Sequence, residues 1–120
     1  MNTTDALMKV VPKGWGYELW IQNTNEYCGK LLYMFAKKKL SWHYHLLKDE
    51  TFYVQSGRVK LYYGDTDVLD NAEIVILEKG MGFRVYRGLR HRLEALTDSE
   101  IFEFSTQHID EDSYRVQKGD

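Results

Sequence analysis

Cysteine and proline are almost absent from this 120-residue sequence. Cys28 is the only cysteine, so no disulfide can form within the chain, and a reducing, cytoplasmic compartment is expected. Pro12 is the only proline, so the rest of the backbone is free to donate hydrogen bonds.

Long apolar runs and a strong net charge are missing as well. No apolar run approaches the roughly 18 residues that span a bilayer, and the polar residues 1–5 lack the basic start and apolar stretch of a secretory signal. Sixteen basic and eighteen acidic residues leave a net charge of −2. That charge creates no general attraction for polyanions. We therefore expect neither nucleic acid nor a membrane as a partner.

The residues that are present favour one all-β domain. The chain has the length of a single domain, and its 43% hydrophobic and 28% charged residues are ordinary globular values. Aromatic residues, at 14%, fit the half-buried surface of a sheet. Short alternating segments separated by turn residues predict a sandwich or barrel of antiparallel hairpins. The predicted strands are Tyr17–Gln22, Lys30–Ala36, Leu40–His45, Thr51–Gln55, Val59–Tyr63, Ile74–Leu77, Phe83–Tyr86, His91–Leu96 and Ile101–Ser105. Only residues 110–117 have a weak helical period.

Two of the four histidines lie two residues apart in a predicted strand. His43 and His45 therefore project from one face, while Trp42 and Tyr44 point the other way. Two adjacent imidazoles form a natural chelating pair for Zn, Cu, Fe or Ni. Taken alone, the pair has an equally good explanation as ordinary surface or core histidines.

Two later residues strengthen the metal interpretation. A hairpin after His45 would return Glu50 to the level of the histidine pair, and His91 follows glycines that permit a tight turn beside a site. The remaining histidine, His108, is interpreted as an ordinary surface or core residue.

The first of these groups matches a known motif. His43-x-His45-x4-Glu50-x6-Gly57 resembles the first cupin motif, with both spacings intact.

A second segment matches the other motif of that family. Gly80-x5-Tyr86-x-Gly88-x2-His91 resembles the second cupin motif, with Tyr86 and Ala95 standing where proline and asparagine are common. Those two positions shape a turn and pack the barrel, so neither departure removes a ligand.

The resemblance implies a fold and a ligand set. Cupins are jelly-roll barrels, also called double-stranded β-helices, of antiparallel strands. The motif residues imply that His43, His45, Glu50 and His91 hold one divalent metal ion, which could be Zn, Mn, Fe, Ni or Co. Under this interpretation residues 1–13 form an N-terminal arm, residues 14–116 the cupin barrel and residues 117–120 a C-terminal tail.

Further segments resemble the cupin domain of type II phosphomannose isomerases. Gly14–Glu18 is similar to that group's Trp-Gly-x-Glu opening, and Gly88–Glu94 to its Gly-x-x-His-Arg-Leu-Glu segment. Leu40-Ser41 is similar to the start of its Leu-Ser-x-Gln-x-His stretch, with His43 in place of glutamine. The closing segment, in which an arginine follows acidic residues, implies Arg115 as a catalytic-site residue that binds phosphate.

The resemblance implies a metal-dependent isomerase or epimerase of a sugar or sugar phosphate, of the mannose-6-phosphate isomerase type. Such a reaction needs a base, and Glu94 and Glu103 are candidates, although cross-strand salt bridges with Arg84 or Arg92 are the favoured explanation for each. The candidates for further cations around a phosphate are Lys30, Arg84, Arg90 and Arg92. The candidates for a sugar platform, with the barrel core as the alternative, are Trp42, Tyr44, Phe52 and Tyr53.

Two other functions stay open at this point. Three histidines and a glutamate can also hold the Fe, Ni or Cu of a dioxygenase, and a cupin can bind metal and sugar without catalysis. A homodimer is expected, because sheet edges invite partners. The segment Trp15–Trp20 is the candidate contact, unless it packs on its own barrel.

Overall fold

A computed structural model describes residues 8–120, and these residues form two β-sheets. Two short 3-10 turns, Leu69–Asn71 and Asp110–Asp112, interrupt the strands. The strands are β1 (Lys9–Lys13), β2 (Gly16–Asn23), β3 (Cys28–Met34), β4 (Trp42–Tyr44), β5 (Glu50–Ser56), β6 (Arg58–Gly64), β7 (Glu73–Glu78), β8 (Gly82–Val85), β9 (Arg90–Ala95), β10 (Ser99–Ser105) and β11 (Tyr114–Gln117).

The two sheets have the connectivity of a jelly roll. The six-stranded sheet has the order β1-β2-β3-β10-β5-β8, and the five-stranded sheet has the order β11-β4-β9-β6-β7. All of these pairings are antiparallel. The predicted all-β jelly roll is therefore confirmed.

Alternation along the strands separates an apolar core from a polar cavity. On β9, His91 is followed on the same inner face by Leu93 and Ala95, and all three are buried. On β5, Glu50 is followed in the same way by Phe52 and Val54. One end of the interior is therefore packed with hydrocarbon, while polar side chains occupy the other end.

The chain ends differ from their predicted organisation. Residues 9–13, expected within an arm, form β1 and pair with β2 from Lys9↔Trp20 to Lys13↔Gly16. Residues 1–7 lie outside the described residues. At the other end, Asp120 donates its amide to the Lys39 carbonyl and accepts the Lys39 amide on Oδ2, so the tail packs against the barrel.

The weak helical period at residues 110–117 does not produce an α-helix. The segment makes one 3-10 turn and then forms β11, which pairs with β4. A helix of eight residues is marginal in water, whereas pairing with β4 satisfies the same backbone groups within a sheet.

One outer face of the molecule is apolar. The outward positions of β1, β2, β3, β10 and β5 form a continuous surface on which Tyr17 stacks on Tyr33 at 5.2 Å between ring centroids. We call it the apolar face, and Glu100 is the charged residue among its outward positions. Its large side chains are Val10, Pro12, Tyr17, Leu19, Ile21, Leu31, Tyr33, Phe35, Tyr53, Phe102 and Phe104.

Within residues 8–120, no helix has the length and apolar character required to cross a bilayer.

Candidate metal centre

Three of the four histidines converge inside the polar end of the barrel. His43 lies on β4 directly opposite His91 on β9, and His45 follows β4 on the same face. A ring nitrogen from each lies within 4.8 Å of those of the other two. His91 is fully buried, and His45 is 4% exposed.

Backbone carbonyl groups orient all three rings. Nδ1 of His43 lies 2.8 Å from the Ser41 carbonyl oxygen, Nδ1 of His45 3.0 Å from that of Asp112, and Nδ1 of His91 3.0 Å from that of Leu89. A carbonyl oxygen only accepts, so each Nδ1 carries the proton and each Nε2 keeps a lone pair. Metal-binding imidazoles are commonly held in this way, with the other ring N–H bonded to a carbonyl that fixes the tautomer and the ring orientation.

Burial keeps two of these rings neutral. The pKa of His43 is well below its ordinary value because the ring is buried and the other two histidines lie beside it. Burial also lowers the pKa of His45 to about 4, against the opposing effect of Glu50. Neutral imidazole is the form that binds metal, so proton competition is weak at neutral pH.

Glu50 reaches the histidines from the opposite sheet. Its Oε1 lies 3.4 Å from Nε2 of His91, and its Oε2 lies 3.4 Å from Nε2 of His45. Burial alone would raise the pKa of Glu50, but the Lys48 ammonium holds it well below its usual value. An ionised carboxylate therefore faces two imidazole lone pairs, an arrangement that a cation between them would relieve.

Lys48 is a buried site residue that the sequence analysis missed. Its ammonium lies 3.0 Å from Glu50 Oε2 and 3.1 Å from Glu103 Oε2, and the residue is 4% exposed. Burial would lower its pKa, but the two carboxylates raise it above the ordinary value. A hint was available in the sequence, because Lys48 stands two positions before Glu50 in the loop that leads to β5.

The structure brings one of the two candidate bases into the cavity. Glu103 lies on the inner face of β10, where burial and the nearby Glu50 raise its pKa. Glu94 lies outside and accepts a 2.8 Å hydrogen bond from the Tyr62 hydroxyl. Neither forms the salt bridge with Arg84 or Arg92 that was considered as an alternative; Glu103 pairs with Lys48 instead.

The site opens into a cavity of about 680 Å³. Two of the five candidate cations line it: Lys30, on β3, and Arg115, which lies opposite His43 on β11. The other three have partners elsewhere, since Arg84 binds Asp49, Arg90 binds Asp67 and Arg92 donates to the Lys118 carbonyl.

The aromatic lining also differs from prediction. Phe52 lines the cavity, but Trp42, Tyr44 and Tyr53 do not. Trp42 points away from the cavity and donates its indole N–H to the Asp67 carbonyl at 2.9 Å. The missed aromatic residues are Trp15 and Trp20, which line the cavity from the N-terminal side.

No protein-family model matches the sequence, and no curated protein matches it. Solved structures do match the fold. The capsular polysaccharide assembling protein CapF from Staphylococcus aureus superposes with a TM-score of 0.80 at 17% identity, over 98% of this chain and 35% of CapF. KdgF from Halomonas sp. has a TM-score of 0.68 at 18% identity, over 79% of this chain and 81% of KdgF. Both are cupins.

This chain has the cupin fold. An oxalate decarboxylase variant from Bacillus subtilis, also a cupin, agrees with a TM-score of 0.79 at 14% identity, over 92% of this chain and 30% of that protein. The chain spans about a third of the length of CapF and of oxalate decarboxylase. The cupin resemblance predicted from the two motifs is thus confirmed at the level of the fold, and the three clustered histidines could hold a metal ion within it.

Proposed function

We propose that this cupin holds one divalent metal ion through His43, His45, Glu50 and His91. The observation that carries the proposal is the convergence of three Nε2 lone pairs, each fixed by a carbonyl on Nδ1, with an ionised carboxylate beside them. Within residues 8–120, His91 Nε2 is buried and has no hydrogen-bond partner. A metal ion would accept its lone pair. Imidazole and carboxylate ligands suit Zn, Mn, Fe, Ni or Co.

The proposed activity is isomerisation or epimerisation of a sugar or sugar phosphate. When bound, the ion supplies a Lewis acid for a substrate oxygen. In isomerisation, Glu103 takes the proton from the hydroxyl-bearing carbon next to the substrate carbonyl and delivers it to the carbonyl carbon, while the hydroxyl proton passes to the carbonyl oxygen. The raised pKa of Glu103 suits the role of base. Lys48 holds the Glu103 carboxylate in place, and Arg115 at the cavity wall attracts an anionic substrate.

Two further observations support a sugar substrate. The cavity of about 680 Å³ is within the ordinary range for small-molecule sites. CapF, which shares the fold, is named as a capsular polysaccharide assembling protein.

The test is turnover by metal-loaded protein. Protein purified without chelator is analysed for its metals and then assayed with mannose 6-phosphate and with related hexose and pentose phosphates. We expect one divalent ion per chain, conversion of at least one substrate, and at least a hundredfold loss of rate in Glu103→Gln with its metal content unchanged. Binding without turnover would instead indicate a non-catalytic cupin, and oxygen uptake with bound Fe, Ni or Cu would indicate an oxygenase.

A cytoplasmic homodimer belongs to the same proposal. The apolar face carries a nearly uncharged row of large side chains, with Phe104 55% exposed and Phe35 48% exposed. Exposed apolar patches beyond a few hundred Å² mark interaction sites. A second copy of the chain presents the same uncharged surface and is the proposed occupant. Cys28 is a free, buried thiol, as a reducing compartment requires.

A further inference from the structure

Within residues 8–120, the buried ammonium of Lys30 donates no hydrogen bond. The residue is 1% exposed and projects from the inner face of β3 into the cavity. Within residues 8–120, the carboxylate nearest its ammonium is that of Glu18, whose Oε1 lies 3.8 Å away, beyond hydrogen-bond distance. An ammonium group has three protons to donate, and burial of a charged group that makes no hydrogen bond is costly.

The carboxylates beside Lys30 accept hydrogen bonds from other groups. Glu18 Oε1 accepts the Trp20 indole N–H at 2.8 Å, which holds the carboxylate toward the tryptophan. Glu103, in register with Lys30 on β10, has its Oε2 bonded to the Lys48 ammonium. Lys30 therefore keeps unused donors beside open cavity space.

A second lysine lies on the same aromatic ring. The ammonium of Lys30 lies 4.2 Å from the centroid of the Trp20 ring, and that of Lys9, on β1, lies 4.8 Å from it. Lys9, Trp20 and Lys30 are neighbours in one row across β1, β2 and β3. Trp20 is the middle member of this row, and the positive charges of both lysines favour an anion nearby.

The residues that line the whole cavity are also positive on balance, like the two lysines. Its wall includes six basic and five acidic side chains, so it is net positive although the chain as a whole carries −2. The basic residues are Lys9, Lys13, Lys30, Lys48, Arg115 and Lys118. A divalent ion at the histidines would make the cavity more positive still.

We propose that Lys30, supported on Trp20 and joined by Lys9, forms a subsite for the anionic group of the ligand, either a phosphate or a carboxylate. This inference rests on the proposed function, because it assigns an anionic sugar to the same cavity. Lys30 is the deep contact and Lys9 closes the subsite at the cavity wall. The ligand therefore extends from the metal centre towards β1, β2 and β3.

The test compares anion binding by Lys30→Met and the parent chain. Inorganic phosphate, mannose 6-phosphate, glucuronate and neutral mannose are titrated calorimetrically into the metal-loaded full chain. We expect Lys30→Met to weaken binding of the anionic probes at least tenfold, with metal content unchanged and mannose binding unaffected. The matched control is Lys60→Met, which removes a lysine that lies over the Tyr62 ring, 5.1 Å from its centroid and outside the cavity lining, and should change nothing.

The titrations also distinguish a phosphate from a carboxylate, and a failure of the subsite from a failure of the proposed function. Tighter binding of mannose 6-phosphate than of glucuronate assigns a phosphate, and the reverse assigns a carboxylate. Lys30→Met should also lose the increase in unfolding temperature that phosphate gives the parent. Equal anion affinities in the two proteins, or no anion binding by the parent, would overturn the subsite. Lys30-dependent phosphate binding by a chain that binds no metal would leave the subsite standing and overturn the proposed function.

Discussion

At the scale of single residues, the candidate metal centre depends on backbone carbonyl groups that have no part in the cupin motifs. Each histidine ring is oriented through Nδ1 by a carbonyl, two from positions two residues earlier in the chain and one from Asp112. The local carbonyls belong to the strands and turns that carry the histidines. The Asp112 carbonyl comes from the 3-10 turn before β11, so His45 depends on folding of the C-terminal segment.

Removal of one imidazole should weaken metal binding without unfolding the barrel. His91→Ala deletes a buried proposed ligand, and we expect at least a tenfold loss of metal affinity because one of four ligands is gone. Metal content after dialysis is the measurement. His108→Ala is the control, since His108 lies outside the three-histidine group and bonds Asp110. Unchanged metal content in His91→Ala would exclude it as a ligand.

The buried histidines should make the metal-free protein sensitive to mild acid. The unfolded chain protonates histidine near pH 6.5, whereas His45 in the folded chain does so at about 4. Between those values the unfolded state binds the extra proton, so the free energy of unfolding falls as the pH drops. From pH 7 to pH 5, His45 contributes a loss of about 2 kcal/mol, and His43 acts in the same direction.

Urea unfolding of chelator-treated protein at pH 7 and pH 5 measures this effect. His45→Gln should show a smaller difference between the two pH values than the parent. A parent protein equally stable at both would contradict the assignment of neutral, buried histidines.

At the scale of structural elements, the turn between β5 and β6 joins the two sheets beside the first motif. Gly57 in this turn has a φ of 86°, in the left-handed region that favours glycine. A Cβ at this position would also collide with the Ser99 side chain and the Asp98 carbonyl. The motif glycine is therefore required for both its conformation and its lack of a side chain.

Gly57→Ala should lower the free energy of unfolding more than Gly80→Ala, which carries the same backbone penalty. Gly80 has a φ of 88° and no atom within 4 Å of an added Cβ, so Gly80→Ala isolates the conformational cost of about 1 kcal/mol. The collision adds about 1–3 kcal/mol at Gly57. Urea denaturation of both variants measures the difference. Equal losses of unfolding free energy would mean that the turn between β5 and β6 shifts to accommodate the added methyl group.

At the scale of the whole molecule, the two sheets have unlike outer faces. The six-stranded sheet carries the apolar face, to which Tyr17 and Leu19 belong, while Trp15 and Trp20 point into the barrel. The segment Trp15–Trp20 is thus divided by strand alternation, and only half of it is available to a partner.

A charge on the apolar face should dissociate the proposed dimer. Phe104→Glu places a carboxylate at a position that is 55% exposed, and we expect a mass of 14.2 kDa by light scattering where the parent has twice that mass. Ile74→Glu is the matched control, because Ile74 is 50% exposed on β7 of the other sheet. A parent that is monomeric at all concentrations would overturn the dimer.

The sequence alone determined much of this protein, because both the strand period and the cupin motifs are local. A period of two assigned His43 and His45 to one face, and the resemblance to the cupin motifs implied Glu50 and His91 as further ligands. Tertiary structure decided the contacts between residues that are far apart in the chain, which local patterns do not predict. It placed Lys48 between Glu50 and Glu103, turned Glu94 outward, and paired β1 and β11 with strands that the sequence did not link to them. The period shows which side chains share a face, but which face becomes interior depends on strand pairings between residues far apart in the chain.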